Sequence, residues 1–467
     1  MKKKILLLCI VVASVLSSCF EDLDDNKVVA SALDIQNFIY RGLNFFYLYK
    51  ADTPELANDA FATQAELNDF LNDYATPEDL FDYLTPPVDR FSFLTDDYIA
   101  LENALNGTTV NNGMEFGLVR YPAQNGNVFG YVRYVLPNSS AAIQGIDRGV
   151  VFNTIDGQQL TENNLTELLA PDSYTIGLAT FDGTDITPTS DEITLLKTEI
   201  TENPVQLAET LMVQGQPIGY LHYTGFVRDF DSQLNNAFGQ FQTDGITELI
   251  IDLRYNGGGA VETAVDLASM VTGQFNGQVF YTEQWNADLQ QDFASDGLFD
   301  NTISSGTAIN SLGLSRLFVI TTGRTASASE LIINSLSPYI DVVQVGDFTT
   351  GKYQASFLLY DSENFQRQGA NINHTYAMLP LVFKTANKNG MTDFDDGLPP
   401  DVTINEDYSN LGVLGNVNEP LLAAALNEIF PSPQPATPAS FAEQIGDSKM
   451  HSMLDGVMIA EPNLTKI

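Results

Sequence analysis

The sequence predicts a multidomain α+β protein: an N-terminal helical domain, a β-rich domain, and an α/β core with a largely parallel sheet. Three observations carry that prediction. Apolar spacing is helical near the N-terminus, changes to short strands punctuated by Gly and Asn from about 113 to 197, then alternates strand with helix from about 204 to 431. At roughly 150 residues per domain, 467 residues have room for about three such units. In the last unit, runs such as Glu248–Leu253 are apolar almost throughout, as strands buried on both faces of a parallel sheet are. The segments read as 1–18, 19–29, 30–108, 109–200, 201–430 and 431–467.

The first segment is a secretory signal. Met1-Lys2-Lys3-Lys4 is basic, Ile5–Val15 is apolar but too short to span a bilayer, and Leu16-Ser17-Ser18-Cys19 closes it with small residues. Leu-Ser-Ser-Cys resembles the bacterial lipobox, which implies a diacylated Cys19 as the first mature residue and anchoring to a membrane through it. Glu21-Asp22-Leu23-Asp24-Asp25 resembles the export signal of surface lipoproteins of the Bacteroides and Flavobacterium group; a solvated tether is the plainer reading. Together these imply an outer-membrane lipoprotein of the cell envelope, on its periplasmic or exposed side. Cys9 leaves with the signal, so no thiol remains for a disulfide or a nucleophile. With 60 acidic against 21 basic residues, the net charge of -39 argues against nucleic acid as a partner.

From 30 to 108, Phe38, Leu43, Phe45 and Leu48 recur at helical spacing, and Thr76-Pro77 opens a further helix over Glu78–Tyr83. No chemical cluster is present, which leaves packing or gating as its role. In the next unit, Phe116-Gly117-Leu118-Val119 precedes an Asn125-Gly126 hairpin signal and a Val128–Val135 strand. Pro137-Asn138-Ser139-Ser140-Ala141-Ala142, Gly145 and Asp147–Gly157 follow, with Val150 where an Asp is usual. In that order the segment resembles a PDZ domain. The resemblance implies that an extended peptide adds to a sheet edge, its carboxylate held by a loop at Glu115-Phe116-Gly117-Leu118. An ordinary β-rich domain is the alternative. After Pro431-Ser432-Pro433-Gln434-Pro435, the tail reads as a linker with at most one short helix.

Chemistry concentrates in the core. Asp252-Leu253-Arg254-Tyr255-Asn256-Gly257-Gly258-Gly259 places three glycines after an apolar strand, either to expose N–H groups to an anion or simply to join strand to helix. Strand Leu317–Thr321 leads through Gly323 into Thr325-Ala326-Ser327-Ala328-Ser329-Glu330. This sets the Ser327 hydroxyl at a helix start, where N–H groups favour negative charge; Ser327 with Glu330 also fits a capping box. The strand ending at Gly346 continues into Thr349-Thr350-Gly351-Lys352.

Taken in order behind a PDZ-like segment, these three motifs resemble the S41 serine peptidases, the carboxyl-terminal processing peptidases, over most of residues 30 to 430. The resemblance implies Ser327 as nucleophile and Lys352 as general base. It implies an oxyanion hole from the N–H groups of Gly258, with Gly257 or Gly259 as lesser candidates, and of Ala328. Two positions depart from the pattern: Gly257 replaces a frequent proline, and the position often held by glutamine after the lysine is Ser356, with Gln354 close by. Ser356 and Gln354 are therefore the candidates to orient the Lys352 amine. The mechanism needs that amine neutral, and since a lysine ordinarily titrates near about 10.4, burial must lower it.

The implied function is a serine endopeptidase, cutting unfolded or C-terminally presented protein chains that the PDZ-like domain binds, with no cofactor. The competing reading is a lipid-anchored peptide-binding protein without turnover. A P-loop over Gly346–Lys352 fails at Tyr353, where a hydroxyl must reach magnesium. His222, His374 and His451 match no metal-binding spacing, and Phe280, Tyr281 and Trp285 read as packing.

Overall fold

Strands Gln216–Tyr223, Glu248–Asp252, Arg316–Thr321 and Asp341–Gly346 are apolar on both faces because both faces are covered. In the computed structural model, which describes residues 29–122, 126–431, 443–450 and 456–461, they are the parallel centre of a six-stranded sheet. Val205–Val213 adds antiparallel at one edge and Val402–Thr403 parallel at the other. Alternation assigns the two faces. Leu249, Ile251, Leu317 and Val319 meet the helices Asp231–Asp244, Val261–Thr272 and Ala328–Leu336. Ile218, Tyr220, Ile250, Phe318 and Ile320 meet Leu421, Leu422 and Ala425 of the helix Pro420–Ile429. Each fully buried Leu, Ile or Phe contributes about 1.5–3 kcal/mol. Phe280, Tyr281 and Trp285 pack in the larger cluster.

Two of the N-terminal helices begin at capping boxes. Ser31 with Asp34 boxes the helix Ala32–Phe46, and Thr76 with Asp79 boxes Pro77–Leu84, whose proline takes the first turn. Phe93–Thr95 then pairs with Ala377–Leu379, stitching the helical unit to the core. The β-rich unit is a sheet in the order Met114–Arg120, Val128–Val135, Val151–Ile155, Ser173–Phe181, Ile186–Leu196. The segment Glu115–Leu118, expected as a loop, runs inside its first strand. Asn125 of the hairpin signal, residues 1–28 with Cys19, and His451 fall outside the described residues.

The tail corrects an expectation. Where at most one short helix was expected, its described residues, 443–450 and 456–461, supply two strands. Gln444–Asp447 adds antiparallel to Met114–Arg120, and Met458–Ile459 pairs in parallel with Gly259–Ala260. Such short strands take their conformation from the edges they join, so no alternation of their own announces them.

Candidate active site

The three motif turns leave neighbouring strands at their carboxyl ends. Parallel register sets Asp252 beside Ile320, Ile320 beside Val345, and Thr321 beside Gly346. The turns after them therefore emerge along one edge of the sheet, where open α/β sheets hold ligands.

Ser327 caps the helix Ala328–Leu336 with φ 66° and ψ -117°. A positive φ costs a residue with a Cβ about 1–2 kcal/mol, so the surrounding structure must hold this backbone in place. The hydroxyl is fully buried and has no hydrogen-bond partner. Lys352 is buried as well, its Nζ 4.9 Å over the ring of Phe91.

Glu330 joins the two turns. One carboxylate oxygen accepts the N–H groups of Ser327 at 2.7 Å and Lys352 at 2.9 Å. The other accepts the Gly351 N–H and the Thr349 hydroxyl. Burial pushes this carboxyl up, while the four donors pull it back. The sequence pattern points to Glu330 as a cap; its hold on the lysine turn spans the next strand, so only tertiary structure reveals it. The structure thus brings Ser327 and Lys352 to one carboxylate without hydrogen-bonding the two side chains to each other.

The glycine turn lies against the serine. A Cβ on Gly258, at φ 108°, would sit 2.6 Å from Ser327 Cβ and 2.7 Å from its Oγ. The Gly258 N–H donates to Asn256 Oδ1 at 2.9 Å, an Asx-turn that an Asn-Gly-Gly run favours. The Gly259 N–H instead holds a peptide carbonyl, that of Val457, at 2.7 Å. Ala328 opens its helix, where an N–H has no acceptor within the helix. Of the two candidates for orienting the lysine, Gln354 donates to Tyr49 Oη at 3.0 Å and leaves its own Oε1 buried without a partner; Ser356 is buried in the same strand. Arg90 donates to the Gly351 carbonyl, so with Phe91 and Tyr49 the helical unit builds part of the site.

Arg254 fixes the glycine turn from below. Fully buried, it pairs with Asp252 at 2.8 Å and Glu419 at 2.7 Å. Burial alone would raise the Asp252 carboxyl, but Arg254 holds it below its ordinary value. His222, buried with both ring nitrogens unpartnered, is pushed down to about 4 by burial, and His374 bonds Asp361. Among the described residues, Glu262, Asp266 and Asp300 bring carboxylate oxygens within 4.8 Å of one another, a grouping no motif signalled.

Between the β-rich unit and the core lies a cleft of about 1320 Å³, reached by Met114, Phe116, Gly258, Gly259 and Arg324. A strained hydroxyl, a buried amine and a glycine turn thus lie at the carboxyl edge of a parallel sheet. Residues 217–403 match peptidase family S41, and residues 34–93 match the peptidase S41 N-terminal domain. The chain belongs to peptidase family S41. It is 25% identical over 229 residues to a carboxyl-terminal-processing protease of Synechocystis, covering 48% of this chain and 49% of that one. It is likewise 25% identical over 228 residues to a chloroplastic C-terminal processing peptidase of Tetradesmus obliquus, covering 46% of each. The chain therefore spans about half the length of these curated relatives. A solved structure assigned to the S41 proteases, from Bacteroides fragilis, shares the fold with a TM-score of 0.66 at 24% identity, covering 84% of this chain and 96% of that one.

Proposed function

We propose that this chain is a serine endopeptidase that hydrolyses peptide bonds of unfolded or C-terminally presented proteins with Ser327 and Lys352, the PDZ-like unit holding the substrate. The observation that carries this reading is the buried, unpartnered Ser327 hydroxyl in a positive-φ bend, tied through Glu330 to the turn that bears a buried Lys352. In this reading the Lys352 amine takes the hydroxyl proton. Oγ attacks the substrate carbonyl, the proton passes to the departing amine, and water releases the acyl group. Oxyanion donors come from the Gly258–Gly259 turn and Ala328, each worth roughly 3 kcal/mol. Use of the Gly258 N–H requires Asn256 to let it go. Export and a lipid on Cys19 belong to the same reading and place the activity in the cell envelope.

A peptide-binding protein without turnover is the second reading. It is favoured by the Gly258 N–H being taken by Asn256. The test is incubation of residues 20–467, wild type, Ser327→Ala and Lys352→Ala, with an unfolded protein, reading fragments by mass. Both variants are expected to lose at least about a thousandfold in rate while melting within a few degrees of wild type. Retained cleavage in Lys352→Ala sinks the dyad. Failure of the wild type both to cleave and to react with a serine-directed phosphonate probe leaves the binding protein.

A further inference from the structure

The tail strands occupy the two places a substrate peptide would need. Gln444–Asp447 lies on the edge of the β-rich sheet, with Gly446 opposite Leu118 and Asp447 opposite Gly117. Backbone bonds from Arg120 to Glu443 and from Ser448 to Phe116 extend the pairing at both ends. Farther on, Met458–Ile459 is pinned between the glycine turn and the strand after the lysine. Gly259 donates to the Val457 carbonyl on one side, and Ala460 donates to the Ser356 carbonyl on the other. A Cβ on Gly258 would stand 2.6 Å from the Val457 oxygen and 2.7 Å from Ser327 Oγ, so the sum of those distances bounds the gap between the two oxygens.

Side chains make the docking specific. Asp447 is buried between Arg133 of the β-rich sheet, at 3.0 Å, and Arg324 of the serine turn, at 2.7 Å. Burial would raise its carboxyl, but the two arginines hold it below its ordinary value. Ser448 donates to Glu115. Val457 and Met458 are buried.

The segment nevertheless sits in an unreactive register. Asn256 keeps the Gly258 N–H, and Ser327 Oγ has no hydrogen bond to activate it.

We propose that residues 443–450 and 456–461 are tethered occupants of the peptide track, blocking the crevice over Ser327 in the intact chain until substrate displaces them. This rests on the peptidase reading given above. The block acts by local concentration: a tethered segment competes at an effective concentration far above that of a dilute substrate. Asp447 is the anchor that joins the two halves of the track, since it touches an arginine from each unit.

The test uses the full chain with a protease recognition sequence inserted between Pro435 and Glu443, cut only after folding. On cutting, kcat/KM for a quenched fluorescent peptide is expected to rise at least fivefold, mainly through KM, and a synthetic 443–461 peptide should restore the block. Uncut Asp447→Asn should show part of the rise. In a Ser327→Ala background, fluorescent 443–461 peptide should bind the cut chain at least tenfold more tightly than the uncut chain. Equal binding to both forms, or kcat/KM unmoved by cutting and by Asp447→Asn, overturns the proposal. Peptide binding only to the cut chain, with no cleavage by any form, upholds the occupancy and removes the peptidase reading instead.

Discussion

Ser327 keeps its strained backbone because its neighbours over-determine it, and Glu330 does most of that work. All four donors around the carboxylate point inward, so an amide in its place must turn an NH2 toward two of them. Glu330→Gln is expected to lose about 1–3 kcal/mol of stability and at least a hundredfold in kcat, with KM less affected; a thermal melt and steady-state kinetics check both. Asp266 offers a pH test. Burial, and then the Asp300 charge, push it up to about 8 while both of its oxygens lack partners. Below its unfolded pKa of about 3.8, both states are protonated. As pH rises from there to about 8, the unfolded chain gives up a proton that the native chain keeps, so native stability falls across that window. Asp266→Asn removes the titration. Its melting temperature should exceed wild type at pH 8, by on the order of 2 kcal/mol in stability, and match it near pH 4.

At the scale of elements, the parallel core was the most legible part. Val261–Thr272 and Ala328–Leu336 begin directly after the glycine and serine turns. Strand 248–252 announced itself by apolar continuity. The catalytic candidates were legible because each follows a strand in a turn of distinctive composition. What stayed hidden depends on contacts distant in sequence: Phe91 under the Lys352 amine, Tyr49 on Gln354, Arg324 on Asp447. No local pattern encodes such pairs. The tail strands were missed for the same reason. The Gly258–Gly259 turn supplies the element-scale prediction. A methyl at 258 meets Ser327 and Val457 well inside contact distance in a backbone that only glycine adopts without strain. Gly258→Ala should therefore lower peptide cleavage at least a hundredfold and cost about 1–3 kcal/mol, whereas exposed Gly277→Ala, with open space around it, should cost only its positive-φ strain of about 1 kcal/mol.

Across the whole molecule, charge outweighs every other surface property. A net charge of -39 spread over one chain repels itself at low ionic strength, and salt screens that repulsion within about 10 Å at 0.1 M. The melting temperature should rise by several degrees between 10 mM and 0.5 M sodium chloride; a flat or falling curve contradicts this. The interior pairs hardly feel salt. Arg254 with Asp252 and Glu419 is buried, Arg148 with buried Glu406 is largely so, and together they tie the β-rich unit and the last helix of the core to the glycine turn. Salt should thus stabilise the chain without loosening the join between its units.

The single carboxylate shared by the serine and lysine turns has a mechanical corollary. Hung from one hook, the Ser327 and Lys352 turns are geared together: any push that shifts one drags the other with it. The chemistry would then switch on or off as a unit, with no state in which half of it stands ready.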